Sequence, residues 1–448
     1  MSHADVLRVA VLVALASPAV ALVLLGMAAF ARVRLAEQIV GSLSILAMTL
    51  SLVALGVAEA VFAAGDHRPL RLSLLPAAQD QAFSLDMLID ERSLLFALMA
   101  AFICAIVAVF AHRYLHREPG YYRYFVQFNL FGLGIFLIGL SGSMTLLFAG
   151  WEFVGISSAL LVAFFHERPM PLQNALRVFA TYRLSDAAML SAAVVAHEAV
   201  GSASLDALFL AGDEAVPLSA GAATAIAVLL VVAAAGKCAQ LPFSGWLPRA
   251  MEGPTPSSAV FYGAIAIHAG AFVLLRAGPV LEQAPIARVL IIVFGVATAL
   301  FATTVGRVQT DVKSALAFAS LTQVSIILVE IALGLYWIAL IHMAGHAFLR
   351  LLQFLRAPSI LHDFHEATNA VGGHLGHSGA HLERLVPRRW QRPLYRFALE
   401  RGHLDAAIDR FVVAPVTALV GKFDEGERLV CAVVAGELTR KRGTTRER

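Results

Sequence analysis

One lysine of this chain lies where a charged residue is not expected. Lys237 follows a long apolar run that begins at Leu218, and Leu241-Pro-Phe243 and Trp246 keep the chain apolar beyond it. The whole chain has only four lysines against thirty arginines. A buried lysine can release and regain a proton, whereas a buried arginine keeps its charge. Lys237 is therefore a candidate proton-transfer group.

A second candidate is Glu152, which lies in the apolar segment Leu146-Leu-Phe-Ala-Gly-Trp-Glu-Phe-Val-Gly-Ile156. Ionisable groups inside a bilayer are costly, so they are few and usually pair or lie on an ion path. A buried carboxylate and a buried lysine with coupled charge states are the minimum needed to move a proton through a dry interior. Two alternatives stay open: Lys237 extends to the membrane interface, or the two groups form a static ion pair.

The neighbouring sequence predicts an ion pair and a broken helix close to these two groups. Arg183 and Asp186 are three residues apart, which places them on one helical face and favours a helix-stabilising pair. Gly236 loosens the helix beside the lysine and Pro242 lacks a backbone donor, so we expect a discontinuous helix with access for water. Such helices form ion sites in the middle of membranes.

Three histidines extend the set of candidate proton-path residues. His342 and His346 lie four residues apart on one helical face with Arg350 as the next member, and His268 lies in a separate apolar run. Histidine titrates near neutral pH, so these residues could relay protons. They could equally be polar contacts between helices. Glu330 is expected near a membrane interface.

Positioning these groups requires an all-α polytopic membrane protein. The 448 residues are 59% hydrophobic and 15% charged, with a mean hydropathy of +0.76, which is outside the range of soluble domains. Runs of about 20 apolar residues can each cross a bilayer as a helix. Eleven such runs lie at roughly 7–30, 39–62, 93–114, 121–141, 143–165, 174–197, 218–240, 256–277, 285–305, 314–335 and 336–356.

The character of the chain changes after Arg356, which divides it into a transmembrane domain at 1–356 and a tail at 357–448. The tail is rich in histidine and arginine and has amphipathic helical sequence, so we expect it on the membrane surface or against a soluble partner. Basic residues concentrate in the loops on the side of the tail, which predicts a cytoplasmic C-terminus and an outside N-terminus. The loop residues on that side are Arg32, Arg34, Arg113, Arg117, Arg123, Arg168, Arg177, Arg249, Arg307 and Lys313.

Several classes of function have no support in the sequence. Cys104, Cys238 and Cys431 are far apart and form no C-x-x-C pair, which argues against iron–sulfur, thiolate zinc and disulfide sites. Glycine-rich nucleotide motifs are missing, and the net charge of +3 is more consistent with membrane topology than with nucleic-acid binding. We expect no cofactor, no metal, and no redox or hydrolytic site.

One open alternative concerns the tail. His362-x-x-His365 with Glu366, and His374-x-x-His377 with His381, have spacings that suit metal ligands, which would make the tail a metal-binding or carbonic-anhydrase-like enzyme. A solvated, glycine-rich loop is the simpler interpretation.

The motifs together resemble those of a known family, in order over roughly residues 85–356. The sequence is similar to the proton-conducting antiporter-like subunits: chain 5 (chain L) of respiratory complex I, the large Mrp antiporter subunit, and the membrane subunit of the DAB inorganic-carbon accumulation complex. The motifs are Asp90-Glu-Arg-Ser-Leu-Leu95, Tyr121-Tyr-Arg-Tyr-Phe125, Gly150-Trp-Glu-Phe-Val-Gly155, Arg183-Leu-Ser-Asp186, Gly236-Lys-Cys-Ala-Gln-Leu-Pro242, Trp246-Leu247, Ala250-Met-Glu-Gly-Pro-Thr-Pro-Ser-Ser-Ala259, Gln309-Thr-Asp-Val-Lys313 and Ser320-Leu-Thr-Gln323. A further segment, 402–415, is similar to the start of the family's lateral helix.

The resemblance implies an antiporter-like fold in which Glu152 is the span-five glutamate and Lys237 the lysine of a broken span seven. Two departures stand out: Tyr262 occupies the span-eight position where the family has histidine or lysine, and Arg350 replaces the span-eleven lysine. The family core continues for about three more spans, including a second broken helix, so we expect the second, inverted repeat to be truncated.

These observations favour a proton-translocating membrane subunit of a larger energy-coupled complex in the bacterial inner membrane. The coupled ion could also be sodium. Other membrane subunits would be its partners, in an auxiliary assembly of the DAB type or one related to complex I. A non-conducting scaffold that anchors a soluble partner is the alternative, in which the Glu–Lys pair is retained as structure.

Overall fold

The computed structural model describes residues 2–65, 67–74, 84–201, 205, 218–371 and 386–434. Within these ranges, eleven helices are long and apolar enough to cross a membrane, as the sequence predicted. We label them α1 to α11. They are His3–Phe30, Glu37–Ala63, Glu91–Tyr114, Tyr121–Leu140, Met144–Val162, Pro169–Val200, Ala220–Lys237, Thr255–Arg276, Pro285–Gly306, Val312–Ala332 and Tyr336–Val371.

Side-chain caps fix where several of these helices begin. Ser2 and Asp5 form a reciprocal capping box at α1, and Asp90 and Ser93 form another at α3. The side chains of Ser143 and Asp311 accept hydrogen bonds from backbone N–H groups in the first turns of α5 and α10. Such caps satisfy backbone N–H groups that have no partner within the helix. An unsatisfied N–H group costs free energy where water is scarce, as it is near the membrane interior.

The helices pack mainly as hairpins around one buried helix. The pairs α1 with α2, α4 with α5, α6 with α7, and α9 with α10 lie side by side. The apolar core of α8 is completely buried, whereas only a third of that of α9 is buried. Since apolar residues such as Val293 and Leu300 of α9 point away from the protein, these faces suit contact with lipid.

Two short strands lie between α2 and α3. Strand β1 (Leu70–Ser73) pairs antiparallel with β2 (Asp86–Ile89), in a register that sets Leu70 opposite Ile89. An isolated bridge joins Met87 to Ser141, at the end of α4. This hairpin was not predicted, because four-residue strands give almost no periodic signal.

Two helix ends differ from the sequence expectation. The seventh helix ends at Lys237, before the predicted limit of 240, and short helical turns at Phe243–Gly245, Trp246–Arg249 and Ala250–Glu252 follow it. The eighth contains a π-helical stretch at Ser258–Ala264. Conversely, α11 does not end near Arg356 but continues to Val371.

The described part of the tail consists of helices that dock on the bundle. These are α12 (Arg388–Leu399), α13 (Leu404–Ile408) and α14 (Ala414–Val434). Arg177 of α6 donates from Nε to Asp409 Oδ1 at 2.7 Å, and the ring of Phe397 meets that of Phe301 in α9, with 6.3 Å between centroids. His374, His377 and His381 lie outside the described residues, as do the side chains of His362, His365 and Glu366.

Candidate functional site

Lys237 is the last residue of α7 and is completely buried. A helix C-terminus has a partial negative charge from its free carbonyl groups, which favours a cation there. Two side chains satisfy carbonyls of this last turn: Ser185 Oγ donates to Ala233 O at 2.6 Å, and Trp246 Nε1 donates to Gly236 O at 3.0 Å. The broken helix end is therefore stable although it lies within the protein.

Two aromatic rings and a backbone carbonyl surround the ammonium group of Lys237. Nζ lies 4.2 Å from the ring centroid of Tyr182 and 5.0 Å from that of Trp151. It donates a hydrogen bond to Trp151 O at 3.0 Å. Aromatic faces attract cations, most strongly where water is excluded. We refer to Trp151 and Tyr182 as the aromatic cage.

The space for the ammonium group depends on Gly155. A Cβ atom at this position would lie 2.8 Å from Lys237 Nζ, which is too close for an ordinary contact. The glycine of the Gly150–Gly155 motif therefore has a steric role beside the lysine.

Four charged side chains form a continuous chain between α5, α6 and α7. Arg183 lies between two carboxylates, with 2.7 Å from its Nη2 to Glu152 Oε2 and 2.7 Å to Asp186 Oδ2. Asp186 Oδ1 is in turn 3.9 Å from Lys237 Nζ. The side chain of Glu152 is 18% exposed and that of Asp186 only 5%.

This arrangement corrects one expectation and modifies another. Glu152 does not pair with Lys237 directly; its partner is Arg183, because α6 presents that side chain between α5 and α7. Arg183 and Asp186 do pair with each other, but they also join Glu152 to Lys237. The chain has two negative and two positive groups, so a proton gained or lost at one end changes the electrostatic balance at the other.

Gly236 and Pro242 have roles that the sequence did not reveal. A Cβ atom at residue 236 would lie 2.5 Å from Ser185 Cβ, so the glycine allows α6 and α7 to approach closely. Pro242 lies beyond the end of the helix, which has already terminated at Lys237. The backbone of the break bonds to side chains, as in Leu241 N–H to Thr298 Oγ1 at 3.0 Å.

A polar contact leads from the break towards α10. Ser325 Oγ donates to Gln240 Oε1 at 3.0 Å, and Gln240 Nε2 donates to Cys238 O at 3.0 Å. Both side chains are buried. The geometry thus continues hydrogen-bonding groups beyond Lys237, although neither Ser325 nor Gln240 is itself charged.

The structure joins His268 and His346 by a hydrogen bond, and their other partners fix which ring is the donor. His268 Nδ1 lies 2.8 Å from Ala264 O, and its Nε2 lies 3.0 Å from His346 Nδ1. Arg350 Nε donates to His346 Nε2 at 3.1 Å. Since arginine only donates and a carbonyl only accepts, the two neutral rings have a single consistent tautomer assignment. Arg350 thus donates to His346, His346 donates to His268, and His268 donates to Ala264 O.

That order limits what the two histidines can do in this conformation. Neither ring has a free lone pair for another proton, and neither Arg350 nor the carbonyl can pass one on. A relay through His346 requires Arg350 to move away.

His342 lies on the same helix as His346 but has different partners. Its Nδ1 is 2.9 Å from Glu330 Oε1, and its Nε2 is 3.1 Å from Gln323 Oε1, both on α10. Tyr262, which occupies the position in α8 where the resemblance implies histidine or lysine, donates from its hydroxyl to Ser158 O at 3.2 Å. The sequence-predicted proton-path residues therefore fall into three local groups: around Lys237, around His346 and around His342.

Sequence reasoning missed the aromatic cage and Gly155. Trp151 precedes Glu152 directly, and Tyr182 precedes Arg183 directly, so their position beside ionisable residues was the available signal. In an apolar segment an aromatic residue is usually part of the core. Among the described residues, no group of three or more His, Cys, Asp or Glu side chains could hold a metal ion.

Two family models match the chain. Residues 141–374 match the transmembrane model described as NADH:quinone oxidoreductase/Mrp antiporter, and residues 76–125 match the N-terminus of chain 5 of NADH-ubiquinone oxidoreductase (complex I). The chain is 35% identical over 277 residues to chain 5 of NADH-ubiquinone oxidoreductase from Schizophyllum commune, covering 61% of this chain and 40% of that protein. It is 31% identical over 291 residues to subunit L of NADH-quinone oxidoreductase from Rhodobacter capsulatus, covering 62% and 41%.

Solved structures show the same fold. The Mrp complex from Dietzia sp. DQ12-45-1b matches with a TM-score of 0.65 and 26% identity, covering 78% of this chain and 37% of that chain. A chain of the archaeal membrane-bound sulfane sulfur reductase matches with a TM-score of 0.66 and 20% identity, covering 78% and 70%. The chain thus spans well under half of the curated relatives named above.

Proposed function

This chain belongs to the NADH:quinone oxidoreductase/Mrp antiporter family of membrane subunits, and on that premise we propose that it translocates protons within a larger energy-coupled complex. The single observation that supports this best is the chain of charged side chains Glu152–Arg183–Asp186–Lys237, which is partly exposed at Glu152 and Arg183 and fully buried at Lys237. It joins three helices at a broken helix, and three of its four groups, Glu152, Asp186 and Lys237, can change their charge, whereas Arg183 stays charged. Lys237 is the group that would hold and release the proton.

The environment of Lys237 favours protons over sodium as the transported ion. A metal cation needs several oxygen ligands, whereas the carboxylates here already face Arg183 and Lys237. The test below therefore measures sodium uptake separately from proton uptake. In this proposal His268, His342 and His346 continue the path once Arg350 moves.

The partners and the setting complete the proposal. Other membrane subunits would supply the energy coupling, in an auxiliary complex such as the DAB type or in a relative of complex I, within a bacterial inner membrane. Residues 1–356 would form the transmembrane domain, and the tail, 357–448, would face the cytoplasm and hold a soluble partner, with the N-terminus outside. The relatives are subunits of complexes, which supports the first of these statements.

The test replaces Glu152 with Gln and Lys237 with Ala in the complex purified from its own membranes. Proton uptake into proteoliposomes is followed with a pH-sensitive dye, and sodium uptake with a radioactive tracer. Both variants should assemble normally and lose most proton uptake. Lys422→Ala, in the exposed helix α14, is the matched control and should transport normally.

A non-conducting scaffold is the second candidate. It is favoured by His268 and His346, because both nitrogen atoms of each ring are already occupied by hydrogen bonds. Arg350 donates to His346 and so fixes its tautomer, and Tyr262, at the position where the resemblance implies a histidine or lysine, donates to Ser158 O. If Glu152→Gln and Lys237→Ala leave proton uptake unchanged, the result supports the scaffold hypothesis and contradicts proton translocation by this chain. Identification of the proteins that copurify would then separate carbon uptake, marked by a large zinc protein, from a relative of complex I, marked by flavin and iron–sulfur subunits.

A further inference from the structure

Helix α12 has its four arginines on one side and most of its apolar side chains on the other, with Leu399 on the arginine side as an exception. At 100° per residue, Arg388, Arg389, Arg392 and Arg396 fall within an arc of about 100°. The opposite arc has Trp390, Pro393, Leu394 and Phe397. All eight of these side chains are exposed.

The docking contacts place this helix at the level of a membrane surface. Phe397 meets Phe301, which lies five residues, or about 7.5 Å at helical rise, before the end of α9 at Gly306. Arg401, just beyond α12, lies over the ring of Phe318 in α10 at 5.8 Å. Amphipathic helices at a bilayer surface bury their apolar side about 5–10 Å into the headgroup boundary, and a contact about 7.5 Å from the end of a spanning helix suits that position.

The protein covers only part of the apolar arc. Trp390 is 57% exposed and Phe397 is 45% exposed, although Phe397 already contacts α9. Because α9 also presents apolar residues outward, its outer surface and this arc both suit contact with lipid acyl chains.

The charged arc complements an anionic surface. Among the residues that the structure describes, none of the four guanidinium groups has a carboxylate partner within the protein. This end of the bundle also carries the arginine-rich loops, which the positive-inside rule assigns to the cytoplasm. Anionic lipids give the cytoplasmic leaflet its negative potential, and each nearby arginine adds to the attraction.

We propose that α12 is a docking surface for anionic phospholipids, with Arg388, Arg389, Arg392 and Arg396 on the headgroups and Trp390, Leu394 and Phe397 in the acyl boundary. Arginine binds phosphate in a bidentate manner, which suits phospholipid headgroups. This site is separate from the Lys237 group and does not depend on proton transport.

The test uses the full chain in nanodiscs made of phosphatidylcholine alone or with phosphatidylglycerol. Chymotrypsin cuts after exposed aromatic residues, so cleavage at Trp390, Tyr395 and Phe397 reports how accessible α12 is, and Phe423 in α14 is the internal reference. We expect phosphatidylglycerol to slow cleavage in α12 by about tenfold or more, and high salt to reverse this.

A matched pair of variants tests the arginines themselves. R389Q/R392Q should lose most of the protection, whereas K422Q/R428Q, which removes the same charge from α14, should keep it. The proposal fails if cleavage in α12 is equal in the two lipids, if both variants behave alike, or if protection appears only in native membranes. The last result would identify a protein as the occupant of this surface.

Discussion

Lys237 Nζ lies 3.9 Å from Asp186 Oδ1, and this aspartate is the nearest acidic partner of the lysine. The two residues come from adjacent helices and are both almost completely excluded from solvent. Glu152, which the motif suggests as the partner, reaches the lysine only through Arg183 and Asp186. Glu152 therefore acts on Lys237 through space and without contact, with the charges of Arg183 and Asp186 lying between them.

Asp186→Asn should reduce proton uptake at least as strongly as Glu152→Gln. The substitution leaves both Arg183 and Lys237 without their shared carboxylate, and an uncompensated buried charge costs about 3–5 kcal/mol. We also expect a larger loss of thermal stability than for Glu152→Gln, because Glu152 is more exposed. Transport assays and thermal unfolding of the purified complex measure the two effects. An equal loss of thermal stability in both variants would contradict the position of Asp186 between Arg183 and Lys237.

Gly155→Ala should preserve the fold but displace the lysine. The new methyl group would lie 2.8 Å from Nζ, and the flexible end of the lysine can move more easily than backbone. We expect normal assembly with proton uptake reduced severalfold. Gly345→Ala is a suitable control, since open space surrounds that glycine. Similar uptake in the two variants would show that the position of the ammonium group is unimportant.

Tyr182→Leu should impair transport, whereas Tyr182→Phe should not. The ring face lies over the ammonium group, and the buried hydroxyl has no hydrogen-bond partner among the described residues. A desolvated cation–π contact contributes about 2 kcal/mol, which corresponds to roughly a thirtyfold change in an equilibrium. Initial rates of proton uptake are the measurement. If phenylalanine is as harmful as leucine, the hydroxyl rather than the ring is needed.

Arg350→Lys should increase proton uptake severalfold if the histidines are part of the path. Lysine can donate to His346 as arginine does, but it can also give up a proton when buried. Arg356→Lys, six residues further along α11, provides a comparison at a position outside the histidine pair. An unchanged rate in Arg350→Lys means that His268 and His346 form a structural link only.

Asp409→Asn should release the tail from the bundle. Arg177 is mostly buried and donates to Asp409, so this contact fixes the segment between α13 and α14 against α6. Limited proteolysis should show faster cleavage within 400–413 in Asp409→Asn and in Arg177→Ala. The double variant should be no worse than either single variant, because both remove one interaction. Additive effects would indicate that the two residues act independently.

The sequence alone determined the class of the protein and the identity of its central groups. Apolar runs of the length that crosses a bilayer predicted the eleven long apolar helices found in the described part of the chain, because a helix in lipid must satisfy its own backbone. The rarity of charge in those runs identified Glu152, Lys237, Arg183 and Asp186, since each such group is costly unless it has a purpose or a partner.

Only the tertiary structure decided which of these groups meet. The position of α6 between α5 and α7 inserts Arg183 and Asp186 between Glu152 and Lys237, and the packing of α8 on α11 joins His268 to His346 while His342 turns to Glu330. Spacing along one helix predicts which residues share a face, but the facing neighbour depends on how helices cross and rotate. Those quantities arise from side-chain packing over the whole bundle, which no local stretch of sequence contains.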